Sequence, residues 1–221
     1  MLDLAAEHDA ITWLTSRPGD FVTEGLAIAS VHPAPGDADR FARALRRAYG
    51  FGADRSPSQD VAFAMQQHLE VALRALSPGV NEPFTALTVV DRLGQGLIAL
   101  AQRTRPSALR LDDEGRVRVV AAPYTVEELL PAGFEPIALF RRPQPAAIGE
   151  RLLGTLRQLA CVARQAEDRL AIRRCAAFVR ASAGAQLQHD EHRLSASTAT
   201  TPRCSRRSTT RLAPPDARGR R

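Results

Sequence analysis

The chain has 221 residues, 44% hydrophobic and 24% charged, values that fit a globular protein of one or two domains with a real core. All 30 basic residues are arginine, and the net charge is +6. Leu187–Arg221 holds eight Arg and three acids (+5) while residues 1–186 hold 22 Arg and 21 acids (+1), so the charge excludes the focused patch of a nucleic-acid-binding fold.

In chain order, residues 2–9 read as helix, with acids where a signal peptide needs a basic and then an apolar region. Residues 10–31, AITWLTSRPGDFVTEGLAIASV, predict strand, turn, strand, turn, strand. Arg17-Pro18-Gly19-Asp20 is a turn, since Pro presets one central φ and Gly accepts a positive one. The pattern resembles the hairpins of lipoyl- and biotinyl-type barrel sandwiches. Carrier function is excluded, because those domains modify a lysine and this chain has none. After the HPAPGD linker, Asp37 caps a helix through Ala48 and Gly50 suits its C-terminal stop. Ser58 is expected to cap a longer helix over about 59–76, with Val61, Met65, Leu69, Ala72 and Leu76 on its apolar stripe. A third helix spans about 83–102, with Leu87, Val90, Leu97, Ile98 and Ala101 on one side. The six residues between the two make an antiparallel helical hairpin.

Residues 108–121 predict a β-hairpin around Asp113-Glu114-Gly115. Thr125 and Glu128 form a capping box that opens a short helix, 126–130. Helical pattern resumes over 132–142, runs again from Ala146 to Val162 with Ile148, Leu152, Leu156 and Leu159 as its stripe, and then covers 166–182. Beyond about residue 187 the Ser/Thr/Pro/Arg-rich sequence lacks periodicity and reads as disordered. The fold class is therefore α+β, mostly α-helical: a small β-rich module at 1–35, a mostly helical domain at 36–186, and a disordered tail at 187–221. No window of about 18 residues is free of charges and breakers, so no transmembrane helix is expected; Val71–Val90 comes nearest. Cys161, Cys175 and Cys204 are spaced for neither a disulfide framework nor a metal knuckle, which fits a reducing compartment.

The stretch RSPSQDVAFAMQQHLEVALRALSPGVNEPFTALTVVDRL resembles the signature of the DUF2254 family of bacterial predicted membrane proteins. The family's RT-x-x-QD element, its helix ending in ALSPG, and its I-N-D-P-x-T-A and D-x-L elements map onto Arg55, Gln59, Asp60, Ala75–Gly79, Asn81, Pro83, Thr85, Ala86, Asp91 and Leu93. The upstream RPGDFV-x-EG and downstream D-x-EGRVRVV segments are also similar, so the likeness spans about residues 5–165. Ser56 stands where the family has Thr, and Glu82 where it has Asp. Family members precede this region with transmembrane helices, and their C-terminal ends differ from residues 187–221. The resemblance therefore implies the soluble, cytoplasmic part of such a protein, held at the bacterial inner membrane by a missing membrane segment or a membrane partner. It implies no assigned activity.

The signature residues Arg55, Gln59, Asp60, Ser77, Pro78, Gly79, Asn81, Pro83, Thr85 and Asp91 are the candidate ligand or structural positions. Asn81 or Glu82 is expected to cap the third helix, with Pro83 in its first turn. That helix N-terminus could instead attract an anion, although Glu82 would compete for it. Arg55 and Asp60 lie one helix length from Asn81 and suit a cap or salt bridge. His68, at the border of its stripe, is expected to be a packed neutral histidine. His189 and His192 have chelating spacing but no third ligand. Gly94-Gln95-Gly96 suits close helix approach better than phosphate cradling. No catalytic, cofactor or metal residue is assigned. The expected function is a non-enzymatic assembly, gating or ligand-sensing module that forms a homo-oligomer and binds no nucleic acid. The alternative is a small-molecule or anion-binding domain, or an enzyme, using the Ser77–Thr85 loop.

Overall fold

The structure is a computed structural model that describes residues 1–140 and 146–187. Helix α1 (Leu2–Glu7) leads into strand β1 (Ile11–Leu14), which pairs antiparallel with β2 (Ala29–His32). The expected middle strand at Phe21–Val22 does not form. Turns close at Arg17–Asp20 and Thr23–Leu26, each through one backbone hydrogen bond, and they leave too little chain between them for a ladder. Gly19 and Gly25 take positive φ in these turns.

The later hairpin appears as expected, with β3 (Leu109–Leu111) and β4 (Val117–Val120) around Gly115. Strand β4 also pairs parallel with β1, giving one four-stranded mixed sheet in the order β2-β1-β4-β3. The sheet thus draws strands from both sides of residue 35. Thr12 and Val119, partners in the β1–β4 ladder, are buried, while Trp13 and Leu109 on the other face are exposed. Ala5, Ala10, Phe41 and Leu45 are buried as well, with the His8 and Phe41 rings edge to face at 5.2 Å.

Helix α2 (Ala38–Ala48) starts as predicted, its Arg40 N–H donating to the Asp37 carboxylate at 2.8 Å. Helix α3 (Val61–Ala75) starts later than expected, because Asp60 rather than Ser58 is its cap. The Phe63 N–H donates to Asp60 Oδ1 at 2.9 Å. Helix α4 (Pro83–Gln102) has the predicted bounds, with Pro83 in the first turn, where its missing N–H leaves no bond unmade. His68 is exposed rather than packed; its Nδ1–H donates to the Ala64 carbonyl at 2.8 Å.

The two short helices expected after residue 125 are one, α5 (Val126–Ala138), which runs through Pro131 and Pro136. Leu129, Leu130, Phe134 and Ile137 are buried along it, and their burial outweighs the backbone hydrogen bonds that the prolines remove. The Thr125–Glu128 capping box closes as predicted, with both bonds at 3.2 Å. Helix α6 (Ala146–Val162) buries its predicted stripe, and α7 runs from Ala166 to Leu187, past the expected end at 182. The core lies among α3 to α7. The chain is α+β and mostly helical. The end of the helix predicted to reach Arg142, the tail from residue 188, Cys204, and His189 and His192 lie outside the described residues.

Among the described residues, α4 is long and apolar enough to cross a membrane, a property not read from the sequence, where Val71–Val90 stood nearest. In this fold it is a core helix, with Val90, Leu93 and Leu97 buried between its neighbours.

Candidate functional site

The signature residues fall in three places. The first is a joint between the sheet and the helices. Asp60, its side chain 2% exposed, accepts from Arg55 through Nε at 2.8 Å and a terminal nitrogen at 2.7 Å. Arg55 also donates to Gln66 Oε1 at 2.9 Å and stacks over Phe63. Gly19 presses on this pair: a Cβ built there would lie 1.7 Å from Asp60 Oδ2. From the same turn, Arg17 reaches α5, donating to both carboxylate oxygens of Glu128 at 3.1 Å. Arg17 lies over the Tyr124 ring, and the Tyr124 hydroxyl donates to the Pro18 carbonyl at 3.3 Å.

The electrostatics follow the geometry. Hydrogen bonding from Arg17 holds Glu128 below its ordinary range, against the effect of burial. Burial raises the Tyr124 phenol, and the nearby charges of Asp60 and Asp20 raise it further. This joint is an ion-pair network in which each carboxylate already has its cation. Gln59, next to Asp60, is exposed.

The second place is the α3–α4 loop. Here the Ser77 carbonyl accepts from the Val80 and Asn81 N–H groups, at 3.1 and 2.9 Å. The Glu82 N–H reaches back to the Ala75 carbonyl at 2.7 Å. Asn81 takes a left-handed φ of 52° and is exposed, as are Pro78 and Gly79. Glu82 occupies the cap position of α4 but makes no side-chain bond to a backbone N–H. Its carboxylate accepts instead from the Thr85 hydroxyl at 3.2 Å. The loop and the Asp60 joint are separated by the length of α3, about 22 Å for its 15 residues.

Asp91 lies in the third place, an open cleft of about 450 Å³ between α4 and α6. It pairs with Arg151, and Glu150, Thr155 and Gln158 line the cleft beside them. Gly94 allows the two helices to meet, since a Cβ there would lie 2.2 Å from Thr155 Cγ2. Gly96 has open space, so close approach accounts for one of the two glycines. The structure brings Arg55 and Asp60 together, gathers Ser77, Pro78, Gly79, Asn81, Pro83 and Thr85 at the α3–α4 loop, and leaves Asp91 apart from both groups. Arg17 and Glu128 were read only as turn and cap residues, and Tyr124 was not singled out.

Among the described residues, no group of three or more His, Cys, Asp or Glu is arranged to hold a metal ion. The DUF2254 family, described as a predicted membrane protein, matches residues 1–158. The chain belongs to the DUF2254 family. Its relatives include an uncharacterized protein of Mycobacterium bovis, 36% identical over 121 residues, which are 52% of this chain and 23% of the relative. An uncharacterized protein of Mycobacterium tuberculosis is similar to the same degree, 36% over 121 residues and the same shares of each chain. This DUF2254 chain thus spans about a quarter of the length of the curated relatives it matches. No solved structure matches it.

Proposed function

We propose that this DUF2254 chain is a non-enzymatic module at the cytoplasmic face of a bacterial membrane protein, serving assembly, gating or ligand sensing and associating with further copies of itself. The observation that carries this reading is the use made of the signature charges at the joint. Asp60 caps α3 and pairs with Arg55 against Gly19, and Glu128 completes the α5 capping box and pairs with Arg17, so these groups hold the β1–β2 connection against α3 and α5. A general acid or base needs an accessible group able to exchange a proton with substrate. These four side chains are committed to one another and to backbone N–H groups. A joint of this kind transmits a displacement of the sheet to α3 and α5, which suits an assembly or gating part.

A double-mutant cycle on Arg55→Gln and Asp60→Asn tests the structural role. The expected outcome is a lower melting temperature for each single variant, and a double variant less destabilised than the two losses summed. Wild-type melting in either single variant would overturn the reading. The membrane face is tested on the longer mycobacterial relative. Protease added outside intact spheroplasts is expected to leave the matching 121-residue segment uncut, and cleavage there would reverse the orientation.

A further inference from the structure

Helices α4 and α6 run in the same direction and in step, since Asp91 meets Arg151 and, one turn further along each helix, Gly94 meets Thr155. Their facing side chains form the open cleft of about 450 Å³, a size that suits a small ligand. In order along the helices, Leu87 and Ala147 give an apolar stretch, the Asp91–Arg151 pair follows with Glu150 beside it, and Thr155 and Gln158 come last. From Leu87 to Gly94 the groove runs about 10 Å.

Its charges are only partly used. Asp91 and Arg151 are 49% and 47% exposed, and they touch through one oxygen and one nitrogen, Oδ2 and Nη1. Among the described residues, Asp91 Oδ1 and the remaining guanidinium N–H groups of Arg151 have no partner, and neither has the Glu150 carboxylate or the Gln158 amide. A pair so exposed adds little to stability. The two helices are held together instead by the Gly94–Thr155 contact and the buried stripe of α6. Gly154 keeps the cleft open, since a Cβ there would meet nothing within 4 Å. The ionised side chains of the cleft are two acids and one arginine, so the complementary ligand has one carboxylate and two cationic groups on an apolar stem.

We propose that this cleft binds a free amino acid with a cationic side chain, of the lysine class. Its carboxylate accepts from the free N–H groups of Arg151, its α-ammonium donates to Asp91 Oδ1, and its side-chain ammonium donates to Glu150. The methylene stem lies against Leu87 and Ala147. The Asp91–Arg151 pair persists, because the ligand takes only the hydrogen-bonding capacity that the pair leaves unmet. A simple acid would meet two carboxylates, and a simple diamine would leave Arg151 unanswered. The proposal rests on the ligand-sensing part of the module reading and names the ligand class.

Calorimetry of the full chain with L-lysine, L-norleucine and cadaverine tests it. L-Lysine is expected to bind with a Kd below about 1 mM. Norleucine, which lacks the side-chain ammonium, and cadaverine, which lacks the carboxylate, are each expected to bind about tenfold more weakly or worse. Glu150→Gln is expected to bring L-lysine down to the level of norleucine and to leave norleucine unchanged. Gly154→Leu fills the open space and is expected to abolish binding, with a melting temperature at or above wild type because leucine favours a helix over glycine. If that variant melts lower, Glu150→Gln, at an exposed side chain without a partner, decides alone. Failure of the wild-type chain to bind L-lysine, equal binding of the three compounds, or an undiminished preference for L-lysine in Glu150→Gln would each overturn the proposal. None of these outcomes touches the Arg55–Asp60 cycle, so a failure here is distinct from a failure of the module reading.

Discussion

Gly19 shows how much the joint depends on one missing atom. Its φ of 91° lies in the left-handed region, and its Cα hydrogen occupies the space in front of the Asp60 carboxylate. An alanine there would meet two costs at once. The backbone would be strained by about 1–2 kcal/mol, and the carboxylate would have to leave either Arg55 or the Phe63 N–H. Gly19→Ala is therefore expected to destabilise the chain by about 3 kcal/mol or more, measured by urea unfolding. A cost near that of an ordinary surface substitution would mean that the turn and α3 are not held together here. Sequence reasoning reached half of this joint. Arg55 and Asp60 are five residues apart, so a local pair was legible. Arg17 and Glu128 are 111 residues apart, and each had a sufficient local explanation as a turn residue and a cap residue.

At the scale of elements, α4 and α6 offer a test in which two opposing effects compete. Replacing Gly94 by Ala gains about 1 kcal/mol of helix propensity. Against that, the new methyl would lie 2.2 Å from Thr155 Cγ2, and Thr155 is held in place by its hydroxyl bond to the Arg151 carbonyl at 2.9 Å. Overpacking of this kind costs about 1–3 kcal/mol, so Gly94→Ala is expected to lower stability on balance. Thr155→Ser removes the clashing methyl and keeps the hydroxyl, and in the Gly94→Ala background it is expected to restore most of the loss. Thermal melts of the two single variants and the double variant read this directly; a double variant no better than Gly94→Ala would show that the close approach lies elsewhere.

The β3–β4 turn makes a second element-scale case, through its charge. Asp112 is pushed up by burial, but hydrogen bonds from Arg118 and from the Arg116 backbone, with the charges of both arginines, bring it down to about 2. Arg118 in turn is buried and reaches Asp9 at 2.8 Å, tying the hairpin to the short link between α1 and β1. Because the folded pKa lies below the ordinary 3.8, the contribution of Asp112 is fully present above that value and is lost as pH falls through about 2. Arg118→Met is expected to shift the acid-unfolding midpoint upward, followed by circular dichroism from pH 5 to pH 2. An unchanged midpoint would remove Asp112 from the acid response.

Over the whole molecule, periodicity made the helices of the core legible and left their company hidden. The bounds of α4 and the buried stripe of α6 came from local apolar spacing, which tertiary packing reinforced. The parallel β1–β4 pairing and the continuation of α5 through two prolines depend on contacts between distant segments, which leave no local mark. The same gap explains why α4 passes for a membrane span by length and composition. Its apolar character serves α3, α5 and α6, which cover it, and Asp91 and Arg92 sit in its middle. A spanning helix would instead have to bring those two charges to the bilayer centre, at a cost of several kcal/mol. In water without detergent, hydrogen exchange is therefore expected to be slowest in α4 and α6, at a rate set by global unfolding, and faster at Phe84 and in the loop before it. An α4 that becomes protected only when detergent or lipid is added would show that the helix leaves the bundle to enter the membrane, and the core would then have to be redrawn without it.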